Sequence, residues 1–484
     1  MALGFEENLW AAAEELRGHV EPAEYKHIVL GLVFLRYATD PGLAARAGSG
    51  IAVPKDGSWA SLRSRLGGRD SAAQLAAAVD AMERSNPEFA GVVSFDAARL
   101  GGARTRALVD AISAIPLDAA GSRDVLGRVY EYFLGHFASA EGRSGGEYYT
   151  PPSVVELLVR MVVPRSGTVY DPCCGTAGMF VQSERLRARG ANRDGRHGGL
   201  RFFGQESSPR ALRIARMNLA LRGIDADLGG GPADSFREDR HPDLRADVVL
   251  ANPPFNARAW GADALSGDPR WRFGVPPRNR ANFAWIQHIL ARLATEGVGA
   301  FVLANGTLSS EQRGEGAIRQ RIVDADLVEC VVALPPQLFY GTQIPACIWI
   351  VSHCKSRGGA GAIAGKTLFV DARSRGRPLD RVHAELTGDD VAAIAGVYHR
   401  WRSKPAAFRG VAGFARVATV DEIRAHRYAL VPGRYVGFAP GPERRAALDR
   451  SLLDLEMSEV RARVAAVDTA SARFLAALEA MTRG

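Results

Sequence analysis

Beyond Pro151-Pro152 the chain becomes a succession of short apolar runs separated by helical segments, and that alternation restricts its fold more than any other feature. The runs are Thr168–Tyr170, Arg201–Gly204, Asp247–Leu250, Gly299–Leu303, Leu327–Ala333 and Ala346–Val351. A strand wet on one face alternates polar and apolar residues, whereas a strand covered on both faces reads as a nearly continuous apolar run. Strands of the second kind, alternating with helices, predict a parallel sheet covered on both sides. Pro151 and Pro152 suit the first turn of a helix over Ser153–Val163, where a missing N–H costs nothing. Another helix is predicted from near Pro209 to Asn218–Gly223. In such sheets ligands bind beyond the carboxyl ends of the strands, so the loops that follow the runs are where chemistry is expected.

The flanks differ. Residues 1–145 read as an all-α domain, with an amphipathic Leu9–Arg17, a largely buried Tyr25–Tyr37, and helical spacing again at Gln74–Arg84 and Val125–Phe137. Residues 40–70 are rich in Gly, Ser and Arg and read as loop and short helix. The catalytic domain is placed at 146–375. The pattern weakens after that, so 376–440 is read as an extension and 441–484 as a long C-terminal helix. Leu448, Leu452, Leu455, Val460, Val464 and Val467 give that helix one apolar face, which must pack on its own body or on a partner.

The net charge of +8 fits either a polyanionic partner or a plain basic enzyme. Five cysteines give no disulfide framework, and Cys173 and Cys174 have no companion at metal-ligand spacing, so no metal is expected. No run approaches the ~18 apolar residues that cross a membrane. The opening Met-Ala-Leu-Gly-Phe-Glu-Glu lacks the character of a signal peptide, and the cytoplasm is the expected compartment.

Two motifs stand at strand ends. The first is Asp171-Pro-Cys-Cys-Gly-Thr-Ala-Gly178, a turn from strand into helix. Gly175 and Gly178 let the backbone approach a ligand, and a helix N-terminus favours an anionic group. The Walker signature and the three-glycine dinucleotide fingerprint are both absent. A dinucleotide, a nucleotide or the carboxylate of S-adenosylmethionine would fit, and Asp171 could accept from the ammonium of a methionine moiety. The alternative is a tight turn capped by aspartate. Glu206 closes the next run and is placed to hold ribose hydroxyls. It follows Asp171 by 35 residues rather than the usual ~20, with the basic stretch Arg185–His197, read as an exposed loop, accounting for the excess. Asp234 could reach an adenine amino group or simply cap a turn.

The second motif is Asn252-Pro253-Pro254-Phe255, directly after Asp247–Ala251. An adenine amino group is a poor nucleophile because its lone pair is delocalised into the ring. The side-chain oxygen of Asn252 and the backbone carbonyl of Pro253 could each accept one of its N–H bonds, drawing the nitrogen toward tetrahedral geometry. Pro253 and Pro254 stiffen the turn and remove competing donors. Phe255 offers a ring on which a planar base can stack. A nitrogen buried in a duplex must first be flipped out. The following loop, 256–282, carries Arg258, Arg270, Arg272, Arg278 and Arg280 among Trp260, Trp271 and Phe273. It reads either as a nucleic-acid contact or as a solvated basic loop with its aromatics folded inward.

These motifs, with Gly146-Glu-Tyr-Tyr-Thr-Pro151, Gly204-Gln-Glu206, Asn282-Phe-Ala-Trp285, Leu334-Pro-Pro336, Leu338-Phe-Tyr340 and Pro432-Gly-Arg-Tyr435, make the chain resemble the modification (M) subunits of type I restriction-modification systems. The resemblance covers nearly the whole chain. It implies an α/β class I S-adenosylmethionine-dependent methyltransferase with a Rossmann-like mixed sheet, an N-terminal all-α domain and a C-terminal helical tail. The implied activity is adenine-N6 methylation of double-stranded DNA.

The resemblance also implies cofactor contacts from Tyr149, Thr150, Asp171, Cys174, Gly175, Thr176, Gly178, Glu206 and Asp234, with Asn252, Pro253, Pro254 and Phe255 catalytic. It departs at Ala177, where the family more often has glycine, and crowding of the cofactor is the expected consequence. Implied partners are a specificity (S) subunit, a second copy of the chain and a motor-nuclease (R) subunit, with the C-terminal helix a contact to the specificity subunit. Rival readings are methylation of RNA or of a protein glutamine, and a non-catalytic assembly or DNA-clamping subunit.

Overall fold

The computed structural model describes residues 22–39, 52, 54–66, 70–87, 102–114, 150–190, 199–355, 363–380 and 383–437. The expectations for Leu9–Arg17, Val125–Phe137, Tyr149 and the C-terminal helix at 441–484 lie outside these residues. In the N-terminal part, helix α1 (Pro22–Thr39) is followed by α2 (Trp59–Arg65), α3 (Ser71–Ser85) and α4 (Gly102–Ser113). Residues 28–39 are buried throughout, with Arg36 and Thr39 carried in among the apolar side chains. Trp59 locks the group together: its backbone N–H donates to Thr39 Oγ1 (2.9 Å) and its indole to Ser113 Oγ (2.9 Å).

From Pro152 the chain winds a nine-stranded sheet. The elements are α5 (Pro152–Val162), β1 (Gly167–Asp171), α6 (Gly178–Gly190), β2 (Leu200–Gly204), α7 (Pro209–Ala220), β3 (Ala226–Asp227), β4 (Ala246–Ala251), α8 (Asn282–Arg292), β5 (Leu293–Ala304), α9 (Glu315–Asp324), β6 (Val328–Ala333), β7 (Ala346–Ser352) and β8 (Lys366–Asp371). A small hairpin of β9 (Arg377–Pro378) and β10 (Ala384–Glu385) follows, then α10 (Gly388–Ser403), β11 (Ala415–Thr419) and α11 (Val420–Ala425). The strand order is β11-β8-β6-β7-β5-β4-β1-β2-β3.

Successive strand residues point to opposite faces, and both faces are apolar. Val169, Val248 and Leu250 enter one core with Leu158, Phe180 and Leu212 from the helices on that side. Tyr170, Val249 and Ala251 enter the other with Phe283, Ile286, Ile318 and Ile322. This double burial is why the strands show no alternation in sequence.

The sheet is mixed, as the resemblance implies, and not all parallel as the apolar runs alone predict: β7 runs antiparallel to both β5 and β6, and β11 is antiparallel to β8. Only 334–345 separates β6 from β7, with no helix in it, so the chain returns as a hairpin rather than crossing over. A buried apolar run carries no record of its direction. Nor do residues 376–437 form a separate extension: β11 completes the sheet at β8, and α10 packs against α5. As an edge strand with mixed burial, β11 has too weak a pattern to be read as a strand. Arg185, expected in an exposed loop, lies within α6, where Arg187 pairs with Glu184 one turn back.

Candidate functional site

Strand order reverses between β1 and β4: the chain leaves β1 for β2 and β3 on one side and returns to β4 and β5 on the other. Diverging loops at such a switch point leave a crevice. Here it is a cavity of about 430 Å³ lined by Thr150, Asp171, Cys174, Gly175, Thr176, Gly178, Glu206, Asp234, Asn252 and Pro254.

The β1–α6 turn is held by one local bond and by bonds from the β2–α7 region. The Cys173 N–H donates to Asp171 Oδ1 (3.0 Å), and the Gly175 N–H donates to Glu206 Oε2 (2.9 Å). Glu206 Oε1 accepts from the Ser208 N–H (2.7 Å), so one carboxylate ties the turn to the start of α7. Asn218 on α7 donates to the Thr176 carbonyl (2.7 Å). Gly175 has a φ of +54°, and nothing stands within 4 Å of where a Cβ would project, so the backbone faces open space. Asp234 Oδ1 accepts from the Phe236 N–H (2.8 Å), which makes Asp234 a turn-capping aspartate as well as a cavity wall. Burial pushes the Asp171 carboxyl up to about 7, with the nearby Glu206 adding to the rise. Burial also raises both the Cys173 and Cys174 thiols, so neither is a nucleophile at neutral pH.

On the far side of the cavity, Asn252 Nδ2 donates to Thr150 Oγ1 (2.9 Å). The Asn252 Oδ1 atom is buried and has no hydrogen-bond partner among the described residues. A buried acceptor left unmet costs about 1–3 kcal/mol, and here it lines a cavity where a ligand can meet it. Beside it the cavity becomes aromatic. Phe236 lies 4.2 Å from Trp285 and 5.4 Å from Trp260 between ring centroids. The Trp285 indole N–H is likewise buried and without a partner among the described residues. An unmet donor and an unmet acceptor on one cavity wall mark it as a binding surface for a flat polar group.

The sequence matches the family model described as N-6 DNA Methylase over residues 121–443, and the one described as HsdM N-terminal domain over 5–115. The chain belongs to the N-6 DNA methylase family. The HindI methylase subunit of the type I restriction enzyme of Haemophilus influenzae is 47% identical over 319 residues, 66% of this chain and 70% of that protein. The MjaIX methylase subunit of Methanocaldococcus jannaschii is 33% identical over 478 residues, 90% of this chain and 84% of that one. The crystal structure of a type I methyltransferase subunit from Streptococcus thermophilus shares the fold, with a TM-score of 0.76 at 23% identity over 90% of this chain and 99% of that one. The protein is therefore a type I methylase subunit and an adenine-specific DNA methyltransferase. No helix among its described residues is long and apolar enough to cross a membrane, and no cluster among them could hold a metal ion.

In this methylase the loop from Asn256 to Ala281 has two characters. Its aromatics fold inward: Trp260 and Trp271 join Phe236 and Trp285 in one buried cluster. Their indoles donate to the carbonyls of Pro277 (3.1 Å) and Leu265 (2.6 Å). Arg258, Arg272 and Arg278 are exposed. Arg270, grouped with them in sequence, is only 8% exposed and serves the interior. It donates to the carbonyls of Ser235 (2.8 Å) and Phe236 (2.6 Å), to both oxygens of Asp268 and to His288 Nδ1 (2.9 Å).

An arginine only donates, so the His288 proton sits on Nε2, facing Tyr170 Oη at 3.3 Å. Burial, with Arg270 beside it, lowers His288 to about 3 and keeps it neutral. Burial by itself would raise the Asp239 carboxyl, but the Arg292 hydrogen bond and neighbouring charges hold it below the ordinary range. This network pins the segment that carries Asp234 and Phe236 to the loop that follows Phe255. Sequence reading missed it because nothing local distinguishes a buried arginine from its exposed neighbours.

The Asn252–Phe255 motif also departs from expectation. Phe255 is 7% exposed and packs in the core, with its ring 5.6 Å from that of Phe339 in a T-shaped contact. Its ring is turned into the core rather than lining the cavity, which removes its apolar surface from water. Pro253 is buried as well, and the cavity wall is formed by Asn252 and Pro254. The turn is held by a reciprocal pair: Asn282 Oδ1 accepts from the Asn256 N–H (3.0 Å) while Asn282 Nδ2 donates to Asn256 Oδ1 (2.9 Å).

Ala177 does not crowd the cavity. Its methyl is fully buried in the core, on a backbone with φ of +62°. Relief of that left-handed strain, ~1–2 kcal/mol, and loss of a buried methyl, ~0.8 kcal/mol, nearly cancel in Ala177→Gly. The variant is expected to leave cofactor affinity unchanged and stability within about 1 kcal/mol of the parent, measured by titration calorimetry and denaturant unfolding.

Proposed function

We propose that the cavity binds S-adenosylmethionine at its β1–β2 side and that Asn252 receives the N6 amino group of an adenine flipped from double-stranded DNA. The observation that carries this reading is the buried, unpartnered Asn252 Oδ1 at the cavity wall. When bound, the cofactor supplies an electrophilic methyl group on a positively charged sulfur. The residues supply everything else. Asp171, at the buried end, accepts from the amino-acid ammonium, and the open backbone around Gly175 and Thr176 leads to the α6 N-terminus at Gly178 for the carboxylate. Glu206 keeps lone pairs for ribose hydroxyls, and Asp234 accepts from the cofactor's adenine amino group beside Phe236. Cys174 fills space beneath them.

Asn252 Oδ1 accepts one N–H of the target amino group and the Pro253 carbonyl accepts the other, which localises the lone pair toward the methyl. The amino nitrogen would form the new N–C bond as the methyl–sulfur bond breaks and its electron pair returns to sulfur, and the nitrogen would release one proton to solvent. For the base to stack on Phe255, that ring leaves its T-shaped contact with Phe339, at a cost that DNA binding offsets. Exposed Arg258, Arg272 and Arg278 contact phosphates.

The target sequence is chosen by a specificity subunit, contacted through residues 441–484. A second copy of the methylase completes the modifying complex, and a motor-nuclease subunit adds restriction. The test is incubation of the chain, with its specificity subunit, with labelled cofactor and cognate duplex, followed by nucleoside analysis. Labelled N6-methyladenine is expected. Label in RNA or in protein glutamine instead, or no label with the cofactor bound, would overturn the proposal.

The raised Asp171 pKa gives a second test. An ammonium needs the carboxylate, so binding expels the proton that Asp171 holds below about 7. Cofactor affinity is expected to rise about tenfold per pH unit up to about 7 and level off above, with Asp171→Asn flattening the profile in titration calorimetry. The sign for the free protein is opposite. The folded state holds this proton more tightly than the unfolded chain does, whose model value is 3.8, so this contribution to stability declines as pH rises from 3.8 to about 7.

A further inference from the structure

We propose that Thr150 is a positioning residue: its hydroxyl oxygen takes a hydrogen of Asn252 Nδ2 and so anchors the amide in place while Oδ1 receives the target amino group. This rests on the reading of Asn252 given above. An asparagine amide has one accepting end and one donating end of nearly equal size, so shape does not fix which end faces a ligand. Partners fix it. The target amino group brings N–H donors and needs Oδ1. Turned over, the amide would meet those donors with donors of its own.

With Oδ1 engaged by substrate, the part-buried Nδ2 still needs an acceptor, and Thr150 Oγ1 stands 2.9 Å away from a position 102 residues distant in the chain. The placement is rigid. Pro151 restricts Thr150 to extended backbone, and α5, which begins one residue later, buries Val154, Val155 and Leu158 and packs on β4 and β5. The strand that ends at Asn252 and the helix that follows Thr150 therefore share one core.

Thr150 also lines the cavity, and the resemblance assigns it to the cofactor. The two roles separate in kinetics. Loss of an acceptor that matters when the amino group is engaged lowers kcat, while loss of a cofactor contact raises the cofactor KM. Thr150→Val keeps the side-chain shape and removes the hydroxyl. It is expected to lower kcat about 10- to 100-fold, the cost of an unmet buried donor, with KM for cofactor and DNA within about twofold. Thr150→Ser restores the oxygen and is expected to recover most of the rate. Should Thr150→Val not fold, Thr150→Ala removes the same oxygen without added bulk and is read in the same way. A raised cofactor KM at unchanged kcat, or full activity without the hydroxyl, overturns the inference. Asn252→Ala run alongside separates the two readings. If it is active, the role of Asn252 itself fails. If it is inactive while Thr150→Val is fully active, only the role of Thr150 fails.

Discussion

Asn252→Ala is expected to lower methyl transfer about 10²- to 10³-fold while cofactor affinity stays within about twofold. The size follows from what the side chain is proposed to do. A fixed acceptor aimed at charge that develops on the reacting nitrogen is worth more in a dry cavity than in water, and it needs no reorganisation when the bond forms. The split follows from position. Asn252 follows β4, whereas the acids proposed for the cofactor end β1, follow β2 or lie beside Phe236. Single-turnover transfer and titration calorimetry on the same preparation read the two quantities apart. Equal loss of affinity and rate would move Asn252 to the cofactor.

The second large effect is expected at Arg270, and it falls on stability first. Arg270→Met removes donors from Asp268, His288 and the carbonyls of Ser235 and Phe236 at once, leaving buried charges and acceptors unmet. Removal of one member of a buried ion pair costs about 3–5 kcal/mol, and Arg270→Lys recovers little because an ammonium cannot reproduce the planar fork. Denaturant unfolding is expected to show a loss of this size, and cofactor affinity falls with it because the Asp234–Phe236 wall is no longer pinned. Arg278 is the control. Its side chain is 82% exposed beside Asp263, and Arg278→Met is expected to leave stability almost unchanged while weakening DNA binding in a salt-dependent manner. Little change in unfolding for Arg270→Met would show that the buried network contributes nothing.

Much of the site is legible from local pattern. Asp171, Gly175, Glu206 and Asn252 each stand within a few residues of the end of an apolar run, and the sheet brings those ends to one edge. What pattern does not carry is orientation. Phe255 reads as a stacking face, yet its ring turns into the core against Phe339, and nothing in four residues of sequence states which way a ring turns. Arg270 and Arg278 read alike, and only the packing of Phe236, Trp260, Trp271 and Trp285 puts one inside and leaves the other in solvent. Trp285 and Asn282 are visible within one motif, but their separate duties, an indole donor with no partner among the described residues and a brace for Asn256, belong to the fold.

The sequence by itself determined an α/β sheet covered on both faces, the strand ends that line the cavity and the Asn252 motif that stands at one of them. Apolar runs, prolines and glycines act through neighbours a few residues away, so their message is local. The tertiary structure alone decided the antiparallel course of β7, the inclusion of β11 in the sheet, the burial of Arg270 and Phe255, and the meeting of Thr150 with Asn252. Each of these depends on which distant segment comes to rest alongside, and that is settled by burial and hydrogen-bond pairing across the whole domain.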